Sequence, residues 1–479
     1  MKAIMKSVSL NTFRGKPALL SADLLASLSR NLRGEIITAD HDQYDFARTV
    51  WNGLIARKPG VIVRCLGVAD VIAAVKFAGE HSLQVSVRGG GHNVAGACLA
   101  DDGFVIDLSS MRSVQVDPQR RVARVEGGAR LGDLDHETQP FGLAAPVGLV
   151  SATGVAGLTL HGGAGWLLRK HGLSIDNLLS VDVVTADGQL RRADSRHHED
   201  LFWAIRGGGG NYGVVTSFEF QLHPVGPKVW FSVPMYPLDR AAEVMAAFRA
   251  IMEEAPDELM ALGVYWSAPE IPEVPVQYHG TPVVILLSCY TGPFDQGEKV
   301  IAPLRAIGTP IADLSGPMRW VDVQKFLDAD YPEGAFYYWK SIYLDRLDEQ
   351  VIDTLSRHAA DRPSPISSID IWTLGRVMGR VSKTATAFYK RDAPYMIGIE
   401  ANWNSADDTD ANIQWARMLY QDLKEYSRGG EYLNFPGFFE NKESQLAGAY
   451  GPNLSKLQSV KAKYDPENAF PGAINIRPE

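Results

Sequence analysis

Three glycine-rich segments in the first half of the chain constrain its fold more than any other feature of the sequence. They span residues 88–93 (RGGGHN), 154–165 (GVAGLTLHGGAG) and 207–213 (GGGGNYG). Glycine lets the backbone approach a ligand closely, and successive backbone N–H groups can form concavities that bind anions. A single segment of this kind would be explained by a tight turn. Three in one region favour a binding site for a large anionic cofactor.

The chain up to about residue 223 predicts a mixed α+β domain in which strands dominate. Apolar residues that alternate with polar ones indicate half-buried strands, and apolar residues three or four apart indicate helices. Predicted strands and hairpins lie at 61–63, 83–87, 104–106, 114–125, 181–188 and 218–222, with a helix over 68–78.

A stiff, turn-rich segment at 223–227 (HPVGP) predicts a domain boundary. Beyond it, the apolar spacing predicts helices over 244–252 and 413–426, and apolar runs at 283–287 and 395–399 predict strands. The second domain is therefore also predicted to be α+β.

Gly208, Gly210 and Gly213 match the GxGxxG fingerprint of dinucleotide-binding folds, but their surroundings argue against that site. The fingerprint requires a strand before the glycines and a helix after them, so that the pyrophosphate meets the start of the helix. Here residues 214–220 (VVTSFEF) alternate in the manner of a strand. A nicotinamide site of this type is therefore rejected.

Composition excludes several classes of function. The net charge is −9 and no Lys/Arg cluster stands out, which is unfavourable for binding nucleic acid. Cys65, Cys98 and Cys289 are far apart and do not have the spacing of a metal site, so no metal and no disulfide is expected. The N-terminus lacks a convincing secretory signal, and no apolar run approaches the length of a membrane span. These features predict a cytoplasmic protein that does not contact membranes.

Several motifs resemble the FAD-linked oxidases of the vanillyl-alcohol oxidase superfamily, in particular the berberine-bridge-enzyme-like group, and are similar to those of the bacterial hydroxynicotine oxidases. The resemblance extends over residues 44–476. Each glycine segment alone would be weak evidence, but together the motifs are specific. The strongest are RGGGHN, GLVSATGVAGLTLHGG, LSIDNLLSVDVVTADG, RGGGGNYGVVTSFEF and VKAKYDPENAF.

The resemblance implies an α+β fold with a two-part FAD-binding domain of the PCMH type over residues 1–225. A substrate-binding α+β domain over 226–435 would place an antiparallel sheet above the flavin. Residues 436–479 would return to the FAD-binding domain.

The resemblance also implies that His92 is bonded to the methyl group on the flavin's dimethylbenzene ring. From the residue alone, a histidine that only hydrogen-bonds the cofactor is an equal alternative. Many relatives form a second bond from a cysteine, where this chain has Val150, so FAD is expected to be attached through His92 only, with no cysteinyl bond. The other predicted cofactor-binding residues are Arg88, Gly89, Gly90, Gly91, Asn93, Thr153, Gly154, Gly157, His161, Gly163, Gly213, Val215 and Asn475.

Two of these positions depart from the family pattern. Relatives usually have glycine where this chain has His161, which could contact the cofactor but is expected to be a solvated loop histidine. Thr153 stands at the position that resembles the family's oxygen gate, often Val or Leu, and leaves the reactivity toward dioxygen open.

Tyr432 and Asn434 match a Tyr-x-Asn motif in which relatives present a tyrosine as the catalytic base. If the motif formed a strand, alternation would point both side chains to one face. An ordinary core tyrosine is the alternative. Glu400 is a second catalytic candidate, since a carboxylate in an apolar run is either functional or an edge residue facing water. Residues 389–391 (YKR) are weaker substrate-side candidates.

The resulting functional hypothesis is an oxidase. A small organic substrate, such as an alcohol, sugar, alkaloid or other secondary metabolite, would give a hydride to covalently bound FAD, and dioxygen would reoxidise the flavin to yield hydrogen peroxide. A dehydrogenase with another electron acceptor and a flavin-carrying binding protein without turnover remain as alternatives. A monomer or homodimer is expected.

Overall fold

The computed structural model describes residues 6–438 and 442–479 and arranges their strands in five sheets. A two-stranded sheet (Val8–Leu10 with Ala18–Leu20) lies near the N-terminus, and a second one pairs Leu143–Ala144 with His223–Pro224. The three larger sheets have four, five and nine strands. This mixed architecture confirms the predicted α+β class.

A four-stranded sheet precedes the first glycine segment. Its strand order is Glu35–Ile37, Val61–Arg64, Phe104–Asp107 and Val85–Arg88, with the last three strands parallel. The helix Val68–Glu80 buries Val71, Val75 and Ala78, as the apolar spacing predicted, and Ala74 beside them. The strand Val85–Arg88 leads directly into residues 89–93.

The next sheet has five strands, and all of its pairs are antiparallel. It contains both predicted hairpins. Its strand order is Leu190–Asp194, Leu178–Val184, Val214–Gln221, Val122–Glu126 and Val114–Asp117. The glycine segment 207–213 lies between the helix Glu199–Gly208 and the strand Val214–Gln221. This order is the reverse of the dinucleotide fingerprint and confirms its rejection.

A nine-stranded sheet forms the second part of the molecule. Its path runs through Ala312–Asp313, Pro234–Pro237, Pro282–Tyr290, Leu259–Ser267, Ser368–Thr373, Tyr395–Trp403 and Phe336–Leu344, with Lys228–Ser232 and Gly316–Arg319 at the side.

Alternation divides the side chains of this sheet between two faces. Ile397, Ile399 and Ala401 pack in one core, together with buried residues of four helices, and Met396 belongs to the other core. The face opposite those helices is turned toward the glycine segments. The four helices are Ala241–Glu254, Gly297–Arg305, Glu349–Ala360 and Thr409–Leu423.

Further helices are Ala22–Arg30, Tyr44–Arg48, Leu131–Thr138, Val155–Leu160, Leu168–His171, Glu199–Gly208, Trp320–Val323, Val377–Arg380, Lys442–Tyr450 and Leu454–Tyr464. None of the helices in the described ranges has the length and apolar character needed to cross a bilayer. The same ranges contain no cluster of three or more His, Cys, Asp or Glu side chains that could hold a metal ion.

The chain changes sheets between His223–Pro224 and Lys228–Ser232, where the sequence predicts its first domain boundary. Near the C-terminus it contacts the first part again. The backbone N–H of Val85 donates to the Ala469 carbonyl over 2.8 Å. The fully buried Lys461 donates to the carbonyls of Asn211 and Phe470 and to the carboxylate of Asp465, each over 2.6 Å.

This buried ion pair generates a stability prediction. Lys461→Met leaves the Asp465 carboxylate buried without its cation, and breaking a buried pair costs about 3–5 kcal/mol. We therefore expect the free energy of unfolding, measured by denaturant titration, to fall by that amount. In the same helix, Lys463 pairs with Asp200 at the surface with 59% of its side chain exposed. Lys463→Met should cost less than about 1 kcal/mol. Equal losses of unfolding free energy in the two variants would show that the buried ion pair of Lys461 contributes no more to stability than the exposed pair of Lys463.

Candidate active site

A cavity lies between the glycine segments and the face of the nine-stranded sheet opposite the helices. The space inside it amounts to about 1640 Å³, its open mouth included. Most of the site residues predicted from the sequence line it. They are Gly89, Gly90, Gly91, His92, Asn93, Val150, Thr153, Gly154, Gly157, His161, Gly213, Val215, Glu400, Tyr432 and Asn434.

Arg88, Gly163 and Asn475 were predicted to bind the cofactor but are not part of the lining. Arg88 donates through Nη1 to the Ala47 carbonyl. Gly163 contributes a backbone N–H to the hydrogen bonds of a neighbouring tyrosine, described below. Residues 389–391 also lie outside the lining, and Arg391 forms a buried ion pair with Asp176 over 2.8 Å.

The first two glycine segments touch through their backbones. A Cβ atom added to Gly90 would lie 2.5 Å from the Cα of Gly154, and one added to Gly154 would lie 2.5 Å from the N of Gly90. Gly157 and Gly210 differ, because an added Cβ would meet no atom within 4 Å although both residues line the cavity. The first pair packs the loops together, and the second pair leaves space for a ligand.

His92 is held by aromatic stacking. Its ring lies 4.0 Å from that of Trp51, which stacks in turn on Tyr337 at 3.7 Å. Burial lowers the pKa of His92 to about 3, so the imidazole is neutral. Its Nε2 atom is buried without a hydrogen-bond partner among the described residues. A neutral, unpartnered ring nitrogen is free to act as a nucleophile or to bind a ligand.

Tyr432 accepts three hydrogen bonds at its phenolic oxygen. The donors are the backbone N–H groups of Gly163 (3.2 Å) and Ala164 (3.0 Å) and the side-chain amide of Asn434 (2.9 Å). These bonds lower the pKa of Tyr432, but burial outweighs them and raises it above its usual value. The pKa of Tyr432 thus stays raised although three donors favour its ionised form.

Residues 432–434 form a turn, so the condition of a strand, under which alternation would point both side chains to one face, is not met. The backbone N–H of Phe435 donates to the carbonyl of Tyr432 over 2.8 Å, which closes a β-turn. Asn434 still reaches the Tyr432 hydroxyl, since a turn also brings residues two apart together.

Glu400 lies on Tyr395–Trp403, a strand with a partner on each side, and is 3% exposed. The reading as an edge residue facing water is therefore wrong. Burial raises the pKa of Glu400, and the neighbouring Asp370 adds to this shift.

Asp370 was missed by the sequence analysis. It lines the same cavity, and burial raises its pKa to about 7. The signal that could have found it is the one that identified Glu400: a carboxylate between Ile369 and Ile371 in an apolar strand.

His161 is not the solvated histidine that was expected. It is 8% exposed, lines the cavity, and places Nδ1 3.1 Å from the Gly157 carbonyl. Burial lowers its pKa, so it is neutral. Cys98 lines the cavity too, and burial raises the pKa of its thiol, which favours the protonated and weakly nucleophilic form.

Comparison with known proteins identifies two domains in the chain. Residues 59–194 match the model of an FAD binding domain, and residues 431–477 match the family described as berberine and berberine like. An FAD-linked oxidoreductase of Bacillus subtilis is 31% identical over 93% of this chain and 97% of its own length. The (R)-6-hydroxynicotine oxidase of Paenarthrobacter nicotinovorans is 32% identical over 96% of this chain and 100% of its own.

Solved structures agree with these matches. The crystal structure of 6-hydroxy-D-nicotine oxidase from Arthrobacter nicotinovorans superposes with a TM-score of 0.82 at 28% identity, covering 94% of this chain and 98% of that one. A berberine-bridge-like protein of Physcomitrella patens shares the fold with a TM-score of 0.84 at 23% identity, over 95% of this chain and 100% of that one. The open glycines and the unpartnered His92 Nε2 fit a bound FAD.

The two kinds of glycine generate a prediction. Gly157→Ala adds a methyl group to open cavity space within the helix Val155–Leu160, where alanine is favoured over glycine by about 0.5–1 kcal/mol. We expect the stability of the apoprotein to stay equal or rise. The FAD content of the purified protein should fall, because overpacking a contact costs about 1–3 kcal/mol.

Gly90→Ala is the matched control. Its added methyl group meets the backbone of Gly154, so it should destabilise the fold itself. The measurements are the ratio of flavin to protein absorbance and thermal unfolding. A wild-type FAD content in the Gly157→Ala protein would show that Gly157 does not contact the cofactor.

Proposed function

Because the chain belongs to the berberine-bridge-like FAD-linked oxidoreductases of the vanillyl-alcohol oxidase superfamily, we propose that this FAD-dependent enzyme is an oxidase in which His92 carries the flavin and Tyr432 accepts the substrate proton. One observation carries the proposal. A single cavity brings the glycine segments, the unpartnered nitrogen of His92 and the hydroxyl of Tyr432 together. The relative named (R)-6-hydroxynicotine oxidase supports an oxidase reaction on a small organic substrate.

When bound, FAD supplies the acceptor for a hydride from the substrate and the site at which dioxygen is reduced to hydrogen peroxide. The protein contributes binding, orientation and proton transfer. The backbone around Gly157 and Gly210 would hold the cofactor. The aromatic stack on His92 and the apolar walls exclude water from the reacting groups.

The proposed covalent link uses His92 alone. Stacking on Trp51 fixes the ring, and its neutral state makes the unpartnered nitrogen nucleophilic. Val150 lines the cavity at the position where the resemblance implies a cysteine in many relatives, and it has no thiol. Cys98 is the only cysteine in the described lining, and its raised pKa disfavours the thiolate that a second bond would need.

The linkage can be tested by acid precipitation. The flavin of the wild-type protein should precipitate with the polypeptide, and that of His92→Ala should stay in the supernatant. His161→Ala is the matched control, because it removes another buried histidine of the same cavity and should leave the flavin attached. Mass spectrometry of flavopeptides should find the His92 segment only. A flavin bonded to Cys98, or an attached flavin in His92→Ala, would refute the proposal.

The proposed base is Tyr432. Among the described residues, the three groups bound to its phenolic oxygen are all donors, so the oxygen can hold a negative charge while its own proton has only the cavity to point into. Once Tyr432 has released that proton, a substrate O–H or N–H that approaches from the cavity can pass its own proton to the phenolate as the hydride departs. Asn434 positions the hydroxyl and donates its second amide hydrogen to the Leu158 carbonyl over 3.1 Å.

Tyr432→Phe tests this role. The ring and its packing stay, but the base is lost, so flavin reduction measured by anaerobic rapid mixing should slow by about 10²–10⁴-fold. Reoxidation by dioxygen should change little. Tyr343→Phe is the control, since Tyr343 is a buried tyrosine on the strand Phe336–Leu344 that does not line the cavity. If the flavin reduction rate of Tyr432→Phe stayed within about threefold of the wild-type rate, the base would be a residue other than Tyr432.

The pH profile separates Tyr432 from the carboxylates. Because burial raises the pKa of Tyr432, the wild-type reduction rate should rise with pH on the alkaline side, and this limb should flatten in Tyr432→Phe. If Asp370 were the base, the limb would lie near its pKa of about 7 and would persist in the variant.

Two other proposals concern the electron acceptor and the cellular location of the protein. A dehydrogenase that uses another acceptor would reduce dyes but release no peroxide, which an assay with and without an artificial acceptor distinguishes. A cytoplasmic location is supported by the three free cysteines, Cys65, Cys98 and Cys289, since disulfides are rare in that compartment. The expectation of a monomer or homodimer can be checked by light scattering.

A further inference from the structure

Trp51 and Asn52 connect the first glycine segment to the nine-stranded sheet, and neither was among the site residues predicted from the sequence. They follow the helix Tyr44–Arg48, are 5% and 0% exposed, and lie outside the cavity lining. Buried polar groups are costly unless they are hydrogen-bonded. The partners of the indole and of the side-chain amide therefore show which parts of the molecule these two residues hold together.

Trp51 stacks on two other rings. Its ring lies 4.0 Å from that of His92 with an interplanar angle of 15°, and 3.7 Å from that of Tyr337 with an angle of 14°. Trp339 packs edge-on against both Trp51 and Tyr337, at 5.3 Å and 5.9 Å. A chain of stacked rings thus runs from the first glycine segment to the strand Phe336–Leu344.

Hydrogen bonds fix the position of Trp51. Its Nε1 atom donates to the Tyr331 carbonyl over 2.9 Å, and its backbone carbonyl accepts from the Gly334 N–H over 2.9 Å. Its backbone N–H donates to the Gly91 carbonyl over 3.2 Å. Trp51 is therefore held from both sides, by the segment that precedes a strand of the nine-stranded sheet and by the first glycine segment.

Asn52 uses its whole hydrogen-bonding capacity between the same two parts. Its Nδ2 atom donates to the Val94 carbonyl over 2.6 Å and to the Tyr337 carbonyl over 2.8 Å. Its Oδ1 atom accepts from the backbone N–H groups of Tyr337 and Leu54, both over 3.1 Å. An asparagine side chain offers two donor hydrogens and two acceptor lone pairs, and all four are used here.

The strand that Asn52 contacts is an edge of the nine-stranded sheet. Phe336–Leu344 ends the path of that sheet. Asn52 binds both the N–H and the carbonyl of Tyr337 at this edge, as a neighbouring antiparallel strand would. The edge of the sheet is thereby docked onto the loop that carries His92.

Trp51 and Asn52 hold His92 at three points. Trp51 binds the carbonyl of Gly91, the residue before the histidine. Asn52 binds the carbonyl of Val94, two residues after it. The imidazole itself stacks on the indole and keeps its Nε2 atom unpartnered among the described residues. Because a misplacement of about 1 Å can cost about 10²-fold in rate, such fixing determines how fast a bond at this nitrogen forms.

We propose that Trp51 and Asn52 are positioning residues for the covalent attachment of FAD, because they tie the orientation of the His92 ring to the docked edge of the nine-stranded sheet. This inference rests on the proposed linkage at His92. It makes attachment a property of both parts of the molecule, although the glycine segments that would bind FAD lie in the first part alone.

The attachment reaction needs an oxidant as well as an oriented nucleophile. A C–H bond of the flavin methyl group and the N–H bond of the imidazole break, and one C–N bond forms. The two hydrogens and two electrons that are released pass to dioxygen, which becomes hydrogen peroxide. Trp51 and Asn52 take no part in this electron transfer and act only on the orientation of the imidazole.

The test compares how much flavin is bound with how much is covalently attached. After gel filtration, the ratio of flavin to protein absorbance of each full-length variant gives the bound amount, and acid precipitation gives the attached share. Trp51→Leu removes the stacked ring. Its bound flavin should stay within about twofold of wild type, whereas its attached share should fall at least about tenfold.

Two further tryptophan variants separate positioning from general packing. Trp51→Phe keeps a ring against His92 with a side chain close in size to leucine, and its attached share should stay within about threefold of wild type. Trp166→Leu is the matched control, because Trp166 is buried in the same core and lies outside the cavity lining. It should leave the flavin attached. Equal losses in Trp51→Leu, Trp51→Phe and Trp166→Leu would overturn the proposal.

Asn52→Ala removes the other tie and should lower the attached share as Trp51→Leu does. Asn453→Ala is its control, since Asn453 is a buried asparagine that also donates to backbone carbonyls of a distant segment, at residues 383–387. It should leave the flavin attached. If Asn52→Ala does not fold, the three tryptophan variants decide alone.

The outcomes separate the positioning role from the proposed function. A flavin that stays attached in Trp51→Leu as in wild type would reject the positioning role and leave the linkage and the oxidase intact. A wild-type flavin that acid releases completely would reject the linkage and the positioning role together. Loss of attachment in Trp51→Leu, in a protein whose wild-type flavin no substrate reduces, would support the positioning role and reject the oxidase.

Discussion

The backbone contact between Gly90 and Gly154 is the constraint on which the cofactor site depends. It brings the loop that carries His92 against the start of the helix Val155–Leu160, and any side chain at either position would collide with the other backbone. The segment that follows this helix supplies the N–H groups of Gly163 and Ala164, which bind Tyr432. The same two loops would therefore position the proposed cofactor attachment and the proposed proton transfer.

Burial then determines the chemical state of each group in the cavity. It keeps His92 and His161 neutral, it raises the pKa of Tyr432 against three hydrogen bonds, and it raises the pKa of Asp370 and Glu400. The same low-polarity surroundings that would favour flavin chemistry thus also favour the protonated forms of both carboxyl groups.

Much of the fold could be predicted from the sequence, because its signals are local. The helix Val68–Glu80 and the hairpins around 117–118 and 187–188 follow from the spacing of apolar residues and from turn residues. The glycine loops were recognisable for the same reason, since the residues of each loop are contiguous in the chain.

The remaining features depend on contacts between distant residues. Asp370 and Glu400 become neighbours only through the pairing of two strands, and no local pattern reports that pairing. At Tyr432, alternation along a strand does not apply, because a turn brings Asn434 to the hydroxyl. At His161, the position in a loop suggested exposure to solvent, but tertiary packing buries the side chain. Arg391 is held by Asp176, far away in sequence, outside the cavity lining.

We propose that this cavity oxidises a small organic molecule and returns the electrons to dioxygen. It is tested most directly by recording the flavin absorbance of the purified protein while amines, alcohols and sugars are added anaerobically, and then admitting air. We expect a substrate to bleach the flavin without any other reductant, and air to restore the colour with one hydrogen peroxide formed per flavin. A flavin that substrate bleaches, but that stays reduced in air and recovers only with an artificial acceptor, would contradict it.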